Sequence, residues 1–313
     1  MPIYDQTFRN YSGTRRTRRL WLPVARQTLL PILRSKLTWI LLAGALIPVI
    51  VFSVGFFASA KLMTLRPEQA DAAAKMAEMS EIPLFGRQIN LNTLLFMFLR
   101  GEFVFLWLLV LINGGGSIIT DKLHSALPLY FSRPLTPLNY LAGKVAGITA
   151  LPVAVLGLAS MLLFLQAAAY FFSFREAVAQ LPMLGGALVF IIVCSLLVSL
   201  SMVAMSSFAK NARQAGVVYL GFWFLTGVIA QGIEHATKID ITGALAPSRS
   251  LQVIGAHLIG ANVKWLTDMG RHAHGPREFT DFGMPMAWLS IALYMALFAW
   301  ITWRNLKVVE VVK

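Results

Sequence analysis

The sequence predicts an all-α membrane protein of six transmembrane helices. An N-terminal amphipathic interfacial (elbow) helix precedes them, and both termini are cytoplasmic. Three observations predict this. Only 13% of the 313 residues are charged and 57% are hydrophobic, whereas roughly a quarter of a soluble globular chain is charged. Apolar runs long enough to cross a hydrocarbon core about 30 Å thick recur along the chain. The charges between those runs are not shared evenly between the two sides that the runs define.

In order, residues 1–36 read as a cytoplasmic basic tail and elbow helix. Arg15, Arg16, Arg18 and Arg19 form a basic cluster. Leu22, Ala25, Leu29 and Ile32 or Leu33 then recur at helical spacing, with Trp21, Arg26 and Arg34 among them. A basic amphipathic helix of this kind lies along anionic headgroups. Pro23 and Pro31 are expected to bend it. Residues 37–303 hold the spans, at about 37–58, 93–119, 141–168, 182–208, 214–233 and 283–303. Trp303 and Arg304 anchor the last at the interface, and 304–313 form a short cytoplasmic tail. Two extracytoplasmic intervals are expected, 61–92 and 234–282. The first contains an Ala-rich helical piece, Pro67–Met79. The second contains an amphipathic stretch, Ser248–Leu266, that reads as an external cap or a partly re-entrant segment.

The side that holds both termini collects sixteen of the 27 Lys and Arg residues but only three of the 14 acids, and therefore the whole net charge of +13. Positive residues mark the cytoplasmic side, so the termini, loop 119–140 and the basic turn Lys210–Arg213 fall there. This partition explains the charge without nucleic acid. Lys144 is expected to snorkel at the start of the third span. Arg100 and Glu102 either line a pathway or mark the true start of the second span, with Leu91–Leu99 an interfacial helix; the latter is the simpler reading.

The chemistry-bearing motifs are few. The single cysteine, Cys194, lies in an apolar run and suits burial. GGGSIITDK lacks the Gly-Lys-Ser/Thr end of a phosphate-binding loop, and no H-E-x-x-H or G-x-S-x-G is present. Gly114–Gly116 read as the end of the second span and a sharp turn. His272 and His274 lack the further spacing of a metal site, though Asp268 or Asp281 converging on them would make a membrane-embedded enzyme. The polar residues of the spans form no relay of acids, which argues against an ion-coupled transporter. With no energy source of its own, transport by this chain would draw on a partner. The docking surface for one is the loop 119–140. There Asp121, Lys122, Leu123 and His124 start a short helix, and Pro128 and Pro134 stiffen its exit.

The text of that loop is informative. Leu129-Tyr130-Phe131-Ser132-Arg133-Pro134-Leu135-Thr136 is followed by Tyr140-Leu141-Ala142-Gly143-Lys144-Val145-Ala146-Gly147, and preceded by Ile118-Ile119-Thr120-Asp121. This resembles the type-two family of ABC-transporter permeases, and the topology agrees over nearly the whole chain. His124-Ser125-Ala126-Leu127 stands where that family often has an acidic–basic pair followed by Gly-Thr-Leu.

The resemblance implies a permease subunit of a bacterial inner-membrane ABC exporter, moving an apolar or amphipathic cargo. It implies separate ABC ATPase subunits that bind the ATP, no cofactor in this chain and no catalysis by it, and a second permease copy, identical or not. Asp121, Lys122, Leu123, His124, Arg133 and Pro134 would couple to the ATPase, and spans two and five would form the dimer and pathway. The alternative within the same architecture is a mechanical transmitter, passing ATPase motion through 234–282 to an extracytoplasmic partner without moving cargo.

Overall fold

The computed structural model describes residues 20–65, 81–84, 87–131, 135–237, 240–263 and 282–310. The elements are α1 (Trp21–Arg34), α2 (Lys36–Leu65), β1 (Glu81–Leu84), β2 (Arg87–Asn90), α3 (Leu91–Gly114), α4 (Ile119–Leu123), α5 (Ala126–Phe131), α6 (Pro137–Phe171), α7 (Phe174–Ala179), α8 (Leu181–Phe208), α9 (Ala212–Thr237), a 3₁₀ turn (Asp240–Leu245), α10 (Pro247–Ile259) and α11 (Met284–Glu310). Six of the described helices, α2, α3, α6, α8, α9 and α11, are long and apolar enough to cross a membrane. The predicted all-α, six-span class is the one observed.

The core forms around α8. Phe190, Ile191, Leu197, Val198, Met202 and Val203 of this helix are buried, and so is Cys194. Helices α3, α6, α10 and α11 pack on it. Its small residues make that possible. A Cβ at Gly186 would lie 2.0 Å from the Leu258 carbonyl oxygen of α10. By contrast α2 and α9 lie at the flanks, with Ile47, Ile50 and Val54 of the one and Val217, Phe224 and Leu225 of the other exposed. In a spanning protein such faces meet lipid or another helix.

Local signals set the boundaries. Thr136 caps α6, accepting a hydrogen bond from the Asn139 N–H at 3.2 Å, with Pro137 at the first helical position. Ser173 and Glu176 form a capping box that turns the expected simple turn 172–181 into the short helix α7. Gly260 ends α10 in the left-handed region, at φ 73°.

The structure departs from expectation at several points. An antiparallel hairpin, Glu81 opposite Asn90 and Leu84 opposite Arg87, precedes α3; its four-residue strands are too short to register as alternation in sequence. Helix α3 is continuous from Leu91, and Leu94, Leu95, Phe96, Phe98 and Leu99 are buried in protein. Those residues are not a separate interfacial helix, and Glu102 lies within the span. Among Gly114–Gly116, Gly115 has an ordinary helical φ of −56°. Gly114 is required instead for close approach, since a Cβ there would meet Met202 Cγ at 2.7 Å.

Helix α1 stays helical through Pro31 to Arg34. Its buried residues are Val24 and Ile32, while Leu22 and Leu30 are exposed. Val24 thus joins Ile32 of the predicted apolar set on the protein-facing side, because a groove on α6 receives it. Ser248–Leu266 contains α10, which packs against α3, α8 and α11. Pro67–Met79 and the pair His272 and His274 lie outside the described residues.

Candidate functional site

The candidate site is the polar end of the bundle at which α1, the short helices α4 and α5, and the start of α6 meet. It is built on two glycines. A Cβ at Gly143 would lie 2.6 Å from Val24 Cβ and 2.7 Å from the Trp21 carbonyl oxygen, and one at Gly147 would lie 2.7 Å from the Ala25 carbonyl oxygen. Four residues apart, the two glycines share one face of α6. They form a flat track on which the backbone of α1 rests.

Lys144, which follows Gly143, reaches α4 instead. Its ammonium lies 2.7 Å from the Asp121 carboxylate, and the residue is only 8% exposed. It is therefore held as half of an ion pair and does not snorkel. Tyr140, one turn earlier and fully buried, donates its hydroxyl to the same carboxylate oxygen at 2.6 Å. A charge-assisted pair with an added hydroxyl donor is the arrangement that tolerates partial burial.

Lys122 donates to the Ser207 carbonyl oxygen at 2.5 Å, and Asn305 of α11 donates to the Ser207 hydroxyl at 2.9 Å. Ser206 supplies what α4 lacks in a cap. Its hydroxyl accepts from the Ile118 and Ile119 N–H groups, at 3.1 and 3.2 Å, and donates to the Gly115 carbonyl oxygen at 3.0 Å. Tyr130 donates to the Gln27 side chain at 3.1 Å, linking α5 to α1. Burial, and then the nearby Asp121 carboxylate, push its phenol above the ordinary value, against the lowering effect of the Gln27 hydrogen bond.

From this base a tip projects. Leu123 is 65% exposed, and His124 and Ser125 are exposed beside it. Ser125 takes a left-handed conformation, φ 52°, which reverses the chain between α4 and α5. The His124 ring donates from Nδ1 to the Thr120 carbonyl oxygen at 2.8 Å, which leaves its other nitrogen outward. The tip thus combines one large apolar side chain with an imidazole edge.

Of the residues singled out in the sequence, Asp121, Lys122, Leu123 and His124 come together here. Arg133 and Pro134 lie outside the described residues, as do Arg15, Arg16, Arg18 and Arg19. Trp21 is half-buried and Arg26 exposed on α1. At the end of α11, Trp303 and Arg304 are exposed, and the Arg304 guanidinium lies 5.5 Å from the centre of the Trp300 ring. The roles of Tyr140, Lys144, Ser206 and Ser207 were missed in sequence. Tyr140 and Lys144, one helical turn apart, carried a local signal; the serines carried none, because their partners lie more than eighty residues away.

The second and fifth spans, α3 and α9, meet through aromatics. Trp107 stacks on Tyr219 at 5.5 Å, and Phe103 meets Trp223 edge-on at 5.8 Å.

Six helices long and apolar enough to span a membrane, with a braced loop at one end, define a multi-pass membrane protein, a class that includes transporter subunits. A family model described as ABC-2 family transporter protein matches residues 22–301. The chain belongs to that family. It is a multi-pass membrane subunit of an ABC transporter, whose ATPase activity resides in a partner subunit. No curated protein sequence matches it.

Proposed function

We propose that the chain is the permease subunit of an ATP-driven exporter in the bacterial inner membrane, moving an apolar or amphipathic cargo. The observation that carries this reading is the braced tip. Leu123 and His124 project from a base that Asp121, Lys122 and Tyr140 tie to α6 and α8. A partner that engages the tip therefore acts directly on two central spans. By the family resemblance, Arg133 and Pro134 would contribute to the same partner contact. ATP is bound by the partner, and this chain contributes no cofactor site.

The tip faces the cytoplasm on the positive-inside rule, since Arg26 on α1, Lys210 and Arg213 after Ser207, and Arg304 beside Asn305 belong to the end of the bundle that bears it. Trp21, Arg26, Trp303 and Arg304, with the cluster Arg15, Arg16, Arg18 and Arg19, seat that end on anionic headgroups. A second copy packs along α3 and α9, where the exposed face of α9 bears Val217, Phe224 and Val228. One observation favours the alternative of mechanical transmission: α10, in the outer interval, packs on α8, so motion of α8 reaches the opposite surface without passing cargo.

Co-purification with a candidate ABC ATPase tests the reading. The wild type assembles and stimulates ATP hydrolysis. Leu123→Ala with His124→Ala folds normally but loses assembly or coupling. Unchanged assembly and hydrolysis in that variant would remove the tip from the mechanism.

A further inference from the structure

Glu102 sits near the middle of α3. It is 1% exposed, and neither carboxyl oxygen has a hydrogen-bond partner. Its side chain lines a cavity of about 20 Å³ between α2, α3 and α6, bounded by Leu42, Ala45, Leu106, Pro152 and Leu156 among others. That is room for about one water molecule.

The residues that line this cavity offer Glu102 no side-chain donor, since all the others are apolar. Pro48 lies inside α2 and Pro152 inside α6. Each lacks an N–H, so the carbonyls four residues earlier, of Gly44 and Ile148, lose their helical donors. An ionised carboxylate left alone in such a place costs several kcal/mol, so the packed state needs one positive charge on Glu102.

No described side chain supplies that charge. None of the residues that line the cavity from α2, α3 or α6 is basic. Lys36 and Lys61 of α2 lie nine and sixteen residues from Ala45, about 13 and 24 Å along the axis. Lys144 of α6 is eight residues from Pro152, about 12 Å, and is paired with Asp121. Arg100 is two residues from Glu102 on α3, a spacing that does not share a face.

We propose that Glu102 is a proton-binding site that controls the seam between α2 and the rest of the bundle. The packed state carries a proton on the carboxyl. Parting of α2 from α3 and α6 admits water, the proton passes to that water, and the hydrated carboxylate remains. Reclosure takes one proton back from water. The seam suits this, because α2 is a flank helix with few buried residues, Ala45, Val49 and Phe56 among them. This goes beyond the exporter reading and stands without it, since every group involved belongs to this chain.

The test uses the full chain, purified and placed in lipid nanodiscs without any ATPase. Infrared spectra of the wild type contain the carbonyl stretch of a neutral, water-excluded carboxylic acid, and E102Q lacks it. In an Ala45→Cys background, labelling by a water-soluble maleimide, divided by that of a free thiol at the same pH to remove the thiolate's own titration, rises with pH, up to tenfold per pH unit as one proton is released. The rise vanishes with Glu102→Gln and persists with Glu102→Asp, which keeps a titrating group and so separates lost titration from misfolding. An unchanged carbonyl band in E102Q overturns the proposal, and so does pH-independent labelling of the wild-type site. A carboxylate band that responds to sodium but not to pH also overturns it, and assigns the site to a metal cation. None of these outcomes bears on whether an ATPase docks at Leu123.

Discussion

Asp121 and Glu102 lie on consecutive helices, yet the fold treats their carboxyl groups in opposite ways. Asp121, at the end of the bundle, receives an ammonium and a phenol from α6. Glu102, inside the bundle, faces aliphatic side chains, with both oxygens unpartnered. At the Asp121 end charge is used to tie elements together. At Glu102 the site is left one positive charge short. The difference teaches that a carboxylate braces a membrane bundle only where a second helix brings a donor to it, and that elsewhere its protonation becomes the variable.

The comparison can be broken most severely at Asp121. Asp121→Ala strands the Lys144 ammonium, and losing one partner of a buried pair costs about 3–5 kcal/mol. Unfolding in detergent should show a loss toward that range, with Asp121→Leu/Lys144→Met recovering most of it. A single variant as stable as wild type would mean that Lys144 reaches water after all.

A smaller effect is expected where α1 seats beside that pair. Gly143→Ala drives a methyl into Val24 and the Trp21 carbonyl, an overpacking worth about 1–3 kcal/mol. Protease sensitivity near residue 35 should rise, reporting release of α1. Ser206→Ala removes the acceptor of two N–H groups at the start of α4, at about 1–3 kcal/mol, and hydrogen exchange at Ile118 and Ile119 should quicken. The smallest effect is at the unpaired carboxyl. Glu102→Leu deletes two unsatisfied oxygens and replaces them with apolar volume, so stability should stay level or rise. A loss of more than about 2 kcal/mol, outside the range of a tolerated swap, would reveal a partner for Glu102 and sharpen the contrast into a second ion pair.

Much of the architecture was legible in the sequence. The spans were visible because hydropathy acts residue by residue, and the glycines and prolines that flank them act locally. The tip residues Asp121 to His124 were legible as a group, because polarity interrupts an apolar chain there. What gives them geometry was not. Lys144 read as a snorkelling lysine because its partner is set by how α4 and α6 meet, which no local pattern encodes. The seat of α1 is hidden for a similar reason: Val24 stands outside the apolar set that the spacing suggests, and Gly143 and Gly147 on another helix select it. Glu102 was placed at a span edge because charge inside a span is costly, and a functional site is where such a rule is expected to fail.

The connections of Ser207 and its neighbours carry a mechanical consequence. The short helix α4 stands on three legs: Asp121 on α6, Lys122 on α8, and, through Ser207 and Asn305, α11. On the proposed reading, a push delivered at Leu123 would load these three spans together as one block. Helices α2 and α9 are not among the legs. On that reading their seams with the rest of the bundle are where a stroke of the partner would become displacement.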